Sequence, residues 1–427
     1  MSSQDLVNSE DIDYQDEMPA FLTMAKAVGS LCNLDCSYCY YLEKASLFQD
    51  SHSYRMKDDV LTAYIKNAVN STNSKTIQFV WHGGEPTLLG IEYYEKVVQI
   101  QKQFAGESRR CINIIQTNGM LLNKDWCDLF KRENFWVGLS MDGPTKLHNA
   151  NRVTKAKSPT HKQVEDAYRL LVGEGIDPDV LCTLNSVNVK HPREVYGYFR
   201  DLKVRWLQFL PIVRRDEDGT LSKESVTAAD LGYFLTKVFD QWVRNDVGKI
   251  DVQTFVETLM SYTNGYSVLC INAKQCGNVL VVERDGGIYS CDHFVYPSHY
   301  LGNVVDTELS DALNSPFQAE FSENKSKTLA QKCIGCKYLF ACNGGCPKDR
   351  IGPEDQNGNR ENILCSGYLE YYDYVDRYMK IMSRFAKSDK PIGTIMTQLK
   401  YEEKLAKESK KATKNKRGSF KYENKTR

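Results

Sequence analysis

The chain has 427 residues, 41% of them apolar and 26% charged, with 55 basic side chains balancing 55 acidic ones. That length supports a large core and two domains, and the ordinary composition excludes a disordered or fibrous chain. The charge is neutral overall but unevenly placed: residues 400–427 hold eleven Lys/Arg against four Asp/Glu, and the residues up to Glu17 hold no Lys or Arg.

Both ends therefore read as solvated tails, an acidic one over 1–18 and a lysine-rich one over 386–427. A basic tail can touch nucleic acid or an acidic partner, but a solvated end is the simpler reading, so no nucleic-acid partner is expected. No apolar run reaches membrane-spanning length, and Met1 is not followed by a signal-peptide pattern. The expected location is the cytoplasm, away from membrane. Thiols stay reduced there, so the fourteen cysteines point to metal or redox chemistry.

In chain order, Leu22–Val28 reads as a buried strand leading into a loop with Cys32, Cys36 and Cys39. Further strand-like runs follow at Ile77–Trp81, Ile112–Thr117, Phe135–Leu139, Val180–Leu184 and Trp206–Leu210. Helical patterns lie between them, at Tyr93–Phe104, Lys124–Glu133, Gln163–Val172 and Arg193–Leu202. Six strands alternating with helices predict parallel pairing by right-handed crossovers, closing toward a barrel over 19–245. Such barrels carry their chemistry at the carboxyl ends of the strands.

The residues just past each strand are accordingly the candidates. Strand one ends in the three-cysteine loop, and no fourth thiol follows before Cys111. A tetrahedral zinc site or a fully ligated iron–sulfur cluster wants four ligands, whereas three thiolates on a four-iron cube leave one iron open. Strand two ends in His82-Gly83-Gly84-Glu85-Pro86, where paired glycines admit close backbone approach. Strand three ends in Gln116-Thr-Asn-Gly119, strand four in Ser140-Met-Asp-Gly143, and strand six in Leu210-Pro-Ile-Val213. Arg152 can clamp a carboxylate through two hydrogen bonds or lie on the surface. Cys111, Cys127 and Cys182 read as core residues.

From about residue 246 the alternation is expected to stop. Cys276 and Cys291, preceded by Cys270, frame a hairpin turning at Asp285-Gly-Gly287. Cys333-x2-Cys336-x5-Cys342-x3-Cys346 and Cys365 complete eight thiols, enough for two four-iron clusters or two zinc sites.

The three-cysteine loop resembles the signature of radical S-adenosylmethionine (SAM) enzymes, and Gly83-Gly84-Glu85 resembles the element that holds the SAM amino group in them. The eight-thiol region, 246–385, resembles the SPASM domain of radical SAM enzymes that modify peptides and proteins. The resemblance implies a fold of the α/β class: a partial (β/α)6 TIM-like barrel followed by a small cysteine-rich SPASM domain. It implies SAM and three 4Fe-4S clusters as cofactors. One cluster would sit on Cys32, Cys36 and Cys39, a second on Cys270, Cys276, Cys291 and Cys346, a third on Cys333, Cys336, Cys342 and Cys365. SAM contacts would come from Tyr38, Gly83, Gly84, Glu85, Gln116, Ser140, Arg152, Val164 and Val213.

Those motifs together with Cys291-Asp-His-Phe-Val-Tyr-Pro297 resemble anaerobic sulfatase-maturating enzymes over residues 20–385. The resemblance implies oxidation of a Cys or Ser in a sulfatase Cys/Ser-x-Pro-x-Arg motif to Cα-formylglycine. A 5′-deoxyadenosyl radical takes hydrogen from Cβ, a base takes the heteroatom proton, and an auxiliary cluster takes the second electron. Asp292 matches the base, with its basicity expected to be raised by desolvation; capping of the hairpin is its bland alternative. Tyr41 and His82 match positions facing the peptide. The implied partners are a nascent or unfolded sulfatase and an electron donor such as flavodoxin or ferredoxin. A SPASM maturase that crosslinks a ribosomal peptide, or a zinc-binding regulatory protein, are the alternatives.

Overall fold

The computed structural model describes residues 22–41, 44, 54–216, 218–276 and 279–423, with side chains through Ser409. The acidic opening residues lie outside that set. Strands β1 (Leu22–Lys26), β2 (Thr76–Trp81), β3 (Arg110–Thr117), β4 (Trp136–Ser140), β5 (Asp179–Leu184) and β6 (Trp206–Pro211) pair parallel in chain order, and a two-residue β7 (Asp251–Val252) follows. The sheet is open, consistent with the partial barrel expected.

Each connecting helix buries one stripe. Helix α1 (Asp58–Asn70) precedes β2, and α2 (Ile91–Ala105) precedes β3 and buries Tyr93, Tyr94, Val97, Val98 and Gln101, a spacing of three and four that keeps one face inward. Helix α3 (Lys124–Arg132) begins where the Asn123 side chain accepts from Trp126 N–H at 3.1 Å and ends with Lys131 and Arg132, both favourable to its termini. Helices α4 (His161–Gly173), α5 (Pro192–Asp201) and α6 (Ala228–Asn245) continue the pattern. One core lies under α1–α3 around Trp81, which meets Tyr64 and Tyr94 edge-on at centroid distances of 6.0 and 5.8 Å. The other lies around β4–β7, α5 and α6. Truncating a ring such as that of Trp81 costs about 3–5 kcal/mol.

Two expectations need correction. The strand pattern does not stop at residue 246, because β8 (Val279–Glu283) pairs parallel with β1, Leu22 opposite Val279 through Lys26 opposite Glu283. Strands β9 (Gly287–Tyr289) and β10 (Tyr300–Asn303) then extend the sheet antiparallel, with Gly286 at φ 89° in the turn. The cysteine-rich region thus grows from the barrel's own first strand. Apolar Val279–Val282 reads as a strand, but which edge it joins is a long-range matter with no local signal.

The reading of 386–427 as a solvated tail is also revised. A helix spans Thr394–Glu423, and Ile392, Ile395 and Leu399 are buried against the second core. Lysines dominate the composition there and mask this three-residue stripe.

Helix α7 (Gln253–Asn264) and the long α8 (Cys365–Ala386) complete the second core. Helix α8 crosses α6 at contact distance: a Cβ on Gly367 would stand 2.0 Å from the Ala228 carbonyl oxygen. Cys365 opens that helix, so this glycine contact fixes a thiol of the second half against the barrel.

Candidate active site

Lys26, His82, Asn118, Ser140 and Glu283 all lie at or just past the carboxyl ends of their strands. The three-cysteine loop is laced to its neighbours by main chain. Asp35 N–H donates to Val153 O at 2.8 Å and Ser37 N–H to Asn151 O at 3.2 Å, while Gly84 N–H donates to Gly29 O at 2.8 Å and Glu85 N–H to Leu31 O at 2.9 Å. A Cβ on Gly84 would sit 1.9 Å from Leu31 O, and Gly83 adopts φ 128°. The glycine pair is required by this approach of two loops.

Glu85 is seated by the protein itself. Its carboxylate is buried and met by protein donors: Thr87 N–H at 3.0 Å, Thr87 Oγ1 at 2.6 Å, Thr117 Oγ1 at 2.7 Å and Asn118 N–H at 2.7 Å. It ties the ends of β2 and β3 together, Oε1 taking three of the four donors and Oε2 one, which leaves Oε2 a free lone pair. Val164 is a correction. It is fully buried in the core, in the first turn of α4, and offers no surface to a ligand.

Four of the other expected SAM contacts form two hydrogen-bonded pairs. Arg152 Nη1 donates to Tyr38 Oη at 2.9 Å, and Tyr38 Oη–H donates to Asp142 Oδ2. All three are buried, so Arg152 is no surface residue. Gln116 Nε2 donates to Ser140 Oγ at 2.9 Å. Met120 and Ile212, not singled out in the sequence, pack with Leu34, Cys36 and Tyr38; Val213, next in line, is partly buried against the main core. Burial pushes the Cys36 thiol up to about 12 and the Cys32 thiol up to about 11. A metal is what would hold such thiols deprotonated.

The eight later thiols fall into two groups. Cys333, Cys336, Cys342 and Cys365 line one cavity together with Tyr338, Tyr368 and Tyr372. Cys291, Cys346 and Cys270 act on one another electrostatically, and Cys276 is coupled to Cys270. Among the described residues, no three Cys, His, Asp or Glu donors are close enough to share a single ion. Four thiolates in each set is the ligand number that a four-iron cube takes.

Asp292 sits where the two halves meet. Tyr40 Oη–H donates to its Oδ2, and Lys26 Nζ pairs with its Oδ1, Lys26 being 0% exposed. Burial alone would raise this carboxyl, yet the Lys26 ammonium, the largest opposing influence, outweighs burial and holds it well below the usual carboxylate range. Burial keeps His82 near 3 and His293 near 4, so both are neutral at pH 7 and Lys26 carries the effect. The expected rise in basicity through desolvation is thus reversed by a lysine.

That lysine is the hub. Its Nζ lies 3.1 Å from His82 Nδ1, to which Gly83 N–H also donates at 2.7 Å. With two donors on Nδ1, the imidazole carries its proton on Nε2. Lys26 Nζ also stands 4.6 Å over the Tyr41 ring. Tyr41, expected at the peptide face, is buried instead and donates its hydroxyl to Glu283, while its neighbour Tyr40 reaches Asp292. Lys26, Tyr40 and Glu283 were missed. Lys26 and Glu283 each end an apolar strand with a charge, which is the only signal the sequence offers.

With this geometry in hand, comparison with known proteins is informative. Residues 27–198 match the model of the radical SAM superfamily, and residues 264–337 that of an iron-sulfur cluster-binding domain. The chain is 36% identical over 392 residues to a serine-type anaerobic sulfatase-maturating enzyme of Bacteroides thetaiotaomicron, covering 88% of this chain and 94% of the relative. It is 32% identical over 362 residues to a cysteine-type enzyme of Clostridium perfringens, covering 84% and 96%. The solved structure of native anSMEcpe with bound AdoMet and Cp18Cys peptide superposes with a TM-score of 0.77 at 29% identity, covering 85% of this chain and 98% of that one. Streptococcus suis SuiB bound to S-adenosylmethionine shares the fold alone, at 14% identity, a TM-score of 0.57 and coverage of 82% and 77%.

Proposed function

Because this chain belongs to the anaerobic sulfatase-maturating enzymes of the radical SAM superfamily, we propose that it oxidises a Cys or Ser of a sulfatase Cys/Ser-x-Pro-x-Arg motif to Cα-formylglycine. The relatives include both serine-type and cysteine-type enzymes. The target residue loses a hydrogen atom from Cβ, a proton from its heteroatom and one electron; for cysteine, water then releases sulfide. Bound SAM and three 4Fe-4S clusters would supply the radical that takes the hydrogen and the acceptor for the electron.

Cys32, Cys36 and Cys39 would hold the cluster that meets SAM, with Tyr38, Arg152, Gln116 and Ser140 and the main chain of Gly83-Gly84 around the cofactor. Cys270, Cys276, Cys291 and Cys346, and Cys333, Cys336, Cys342 and Cys365, would hold the other two. These residues fit: one set lines a shared cavity, the three-cysteine loop is laced to its neighbours by main chain, and Cys291 and Cys346 of the remaining set are half-buried with Cys270 open to solvent.

One observation carries the assignment of the base. Asp292 follows thiol Cys291 directly, yet it is bonded to Tyr40, which follows Cys39 of the first loop. One carboxylate therefore lies between the two thiol groups that the reaction must connect. Its oxygens would take the heteroatom proton, and the ionic partner Lys26 keeps the carboxylate ready in its charged form. His82, neutral with its proton on Nε2, is a donor for the bound peptide. Electrons would arrive from a flavodoxin or ferredoxin.

Anaerobic incubation of the iron-loaded protein with SAM, a strong reductant and a Cys-x-Pro-x-Arg or Ser-x-Pro-x-Arg peptide tests the reading. The expected product is an aldehyde-bearing peptide by mass spectrometry. Release of 5′-deoxyadenosine with both peptides intact would contradict it. A crosslinked peptide would point to the crosslinking maturases instead.

A further inference from the structure

Two buried cations in the second half are not used by the reaction as described. Lys325, on the helix Pro316–Lys327, is 1% exposed, and its Nζ donates to the carbonyl oxygens of Cys270, Ile271 (3.0 Å) and Ala273. Arg350 is 9% exposed and donates to Gly344 O at 3.4 Å, Asn343 O at 3.2 Å, and Thr328 O and Oγ1, both at 3.3 Å. Neither pairs with a carboxylate among the described residues. Their hydrogen bonds end on carbonyls and one hydroxyl, which solvate a cation without neutralising it. By contrast, Lys348 beside them is matched by Asp349.

An unneutralised cation is costly to bury and persists where an anion answers it. Among the described residues, the strongest charge partners of both cations are thiol sulfurs, groups that become anionic once a metal holds them. Lys325 acts on Cys276, Cys270 and Cys346, all of one set. Arg350 acts on Cys333 and Cys342 of one set and on Cys276 and Cys346 of the other. The loops agree: Lys325 gathers the carbonyls that follow Cys270, and Arg350 closes the Asn343-Gly344 turn between Cys342 and Cys346.

We propose that Lys325 and Arg350 are the built-in counter-charges of the two auxiliary iron–sulfur sites, Lys325 serving the Cys270 set and Arg350 shared by both, and that they raise the potentials at which those sites accept an electron. This rests on the reading that the eight thiols hold clusters. A tetrathiolate cluster is anionic and becomes more so on reduction, so a fixed nearby cation favours the reduced form. Two cations, one local and one shared, make both sites easier to reduce, as an electron sink requires.

The test is an EPR-monitored redox titration of the anaerobic, iron-loaded protein alongside iron and sulfide analysis. Lys325→Met should make the potential of one auxiliary site more negative and leave the other unmoved. Arg350→Met should lower both, and Lys325→Arg should restore the wild-type value. Full iron content with unchanged potentials in Lys325→Met and Arg350→Met would overturn the proposal while leaving the cluster reading standing. Wild-type protein without auxiliary clusters would overturn both. Where Lys325→Met sheds its cluster, retention by Lys325→Arg supports the role of charge. Equal loss from Lys325→Arg would assign the lysine to packing and overturn the proposal.

Discussion

Glu283 gives a stability prediction with its sign fixed by the structure. The residue ends β8, is 0% exposed, accepts from Tyr41 through Oε1, and leaves Oε2 buried without a hydrogen-bond partner. Burial, only partly offset by Lys26 and reinforced by Asp285, pushes its carboxyl from the ordinary 4.5 up to about 8. A carboxyl raised on folding contributes stability that is whole below the unfolded value and is lost as pH climbs through the folded one. Between those limits the unfolded state has released a proton that the native state keeps. Each pH unit well below the folded value removes about 1.4 kcal/mol, and because that slope halves at the folded value the loss from pH 6 to pH 8 is roughly 2 kcal/mol. Glu283→Gln carries no such proton. Its stability relative to wild type should climb by about that amount over the same interval and level off above it. Anaerobic guanidinium unfolding of the iron-loaded proteins at pH 6, 7 and 8, followed by tryptophan fluorescence, measures the difference. A gap between the two proteins that is constant across the three pH values would refute the reasoning.

Three substitutions probe the contacts around the site. Lys26→Met leaves Asp292 as a buried carboxylate without its cation, at a cost of about 3–5 kcal/mol; a lower anaerobic unfolding midpoint and at least a tenfold fall in aldehyde yield per 5′-deoxyadenosine should be seen, and parity with wild type in both would contradict the hub role. Gly84→Ala puts a methyl 1.9 Å from Leu31 O and should force the two loops apart, abolishing 5′-deoxyadenosine release while circular dichroism stays near wild type. Gly367→Ala drives α8 off α6 at a cost of about 1–3 kcal/mol or more, and iron analysis should show about four irons fewer per chain, since Cys365 opens that helix.

Much of this was legible before any coordinates. The six strands were read to within about two residues at each end because apolar runs of that length, alternating with amphipathic stretches, leave little choice of period. The thiol groups followed from spacing and resemblance, since cysteines at such intervals form a discrete pattern. The rest depends on partners distant in sequence. Nothing around Val279 says that it will lie beside Leu22. Lys26 and Glu283 are single charges at strand ends, and only their placement on neighbouring strands in register makes them one buried network. The resemblance put Tyr41 at a position facing the peptide, whereas the chain turns so that Tyr40 meets Asp292 and Tyr41 meets Glu283. Glu85 was read as a ligand because its motif says so, and its four protein donors come from Thr87, Thr117 and Asn118.

The ratio of aldehyde-bearing peptide to 5′-deoxyadenosine in Asp292→Asn protein, set beside wild type in the same anaerobic assay, bears most directly on the account. The amide keeps the size and the Tyr40 contact but cannot take the proton, so nucleoside release should continue while aldehyde falls by two orders of magnitude or more, about 3 kcal/mol of lost transition-state stabilisation. Aldehyde formed at the wild-type ratio would remove Asp292 from the chemistry.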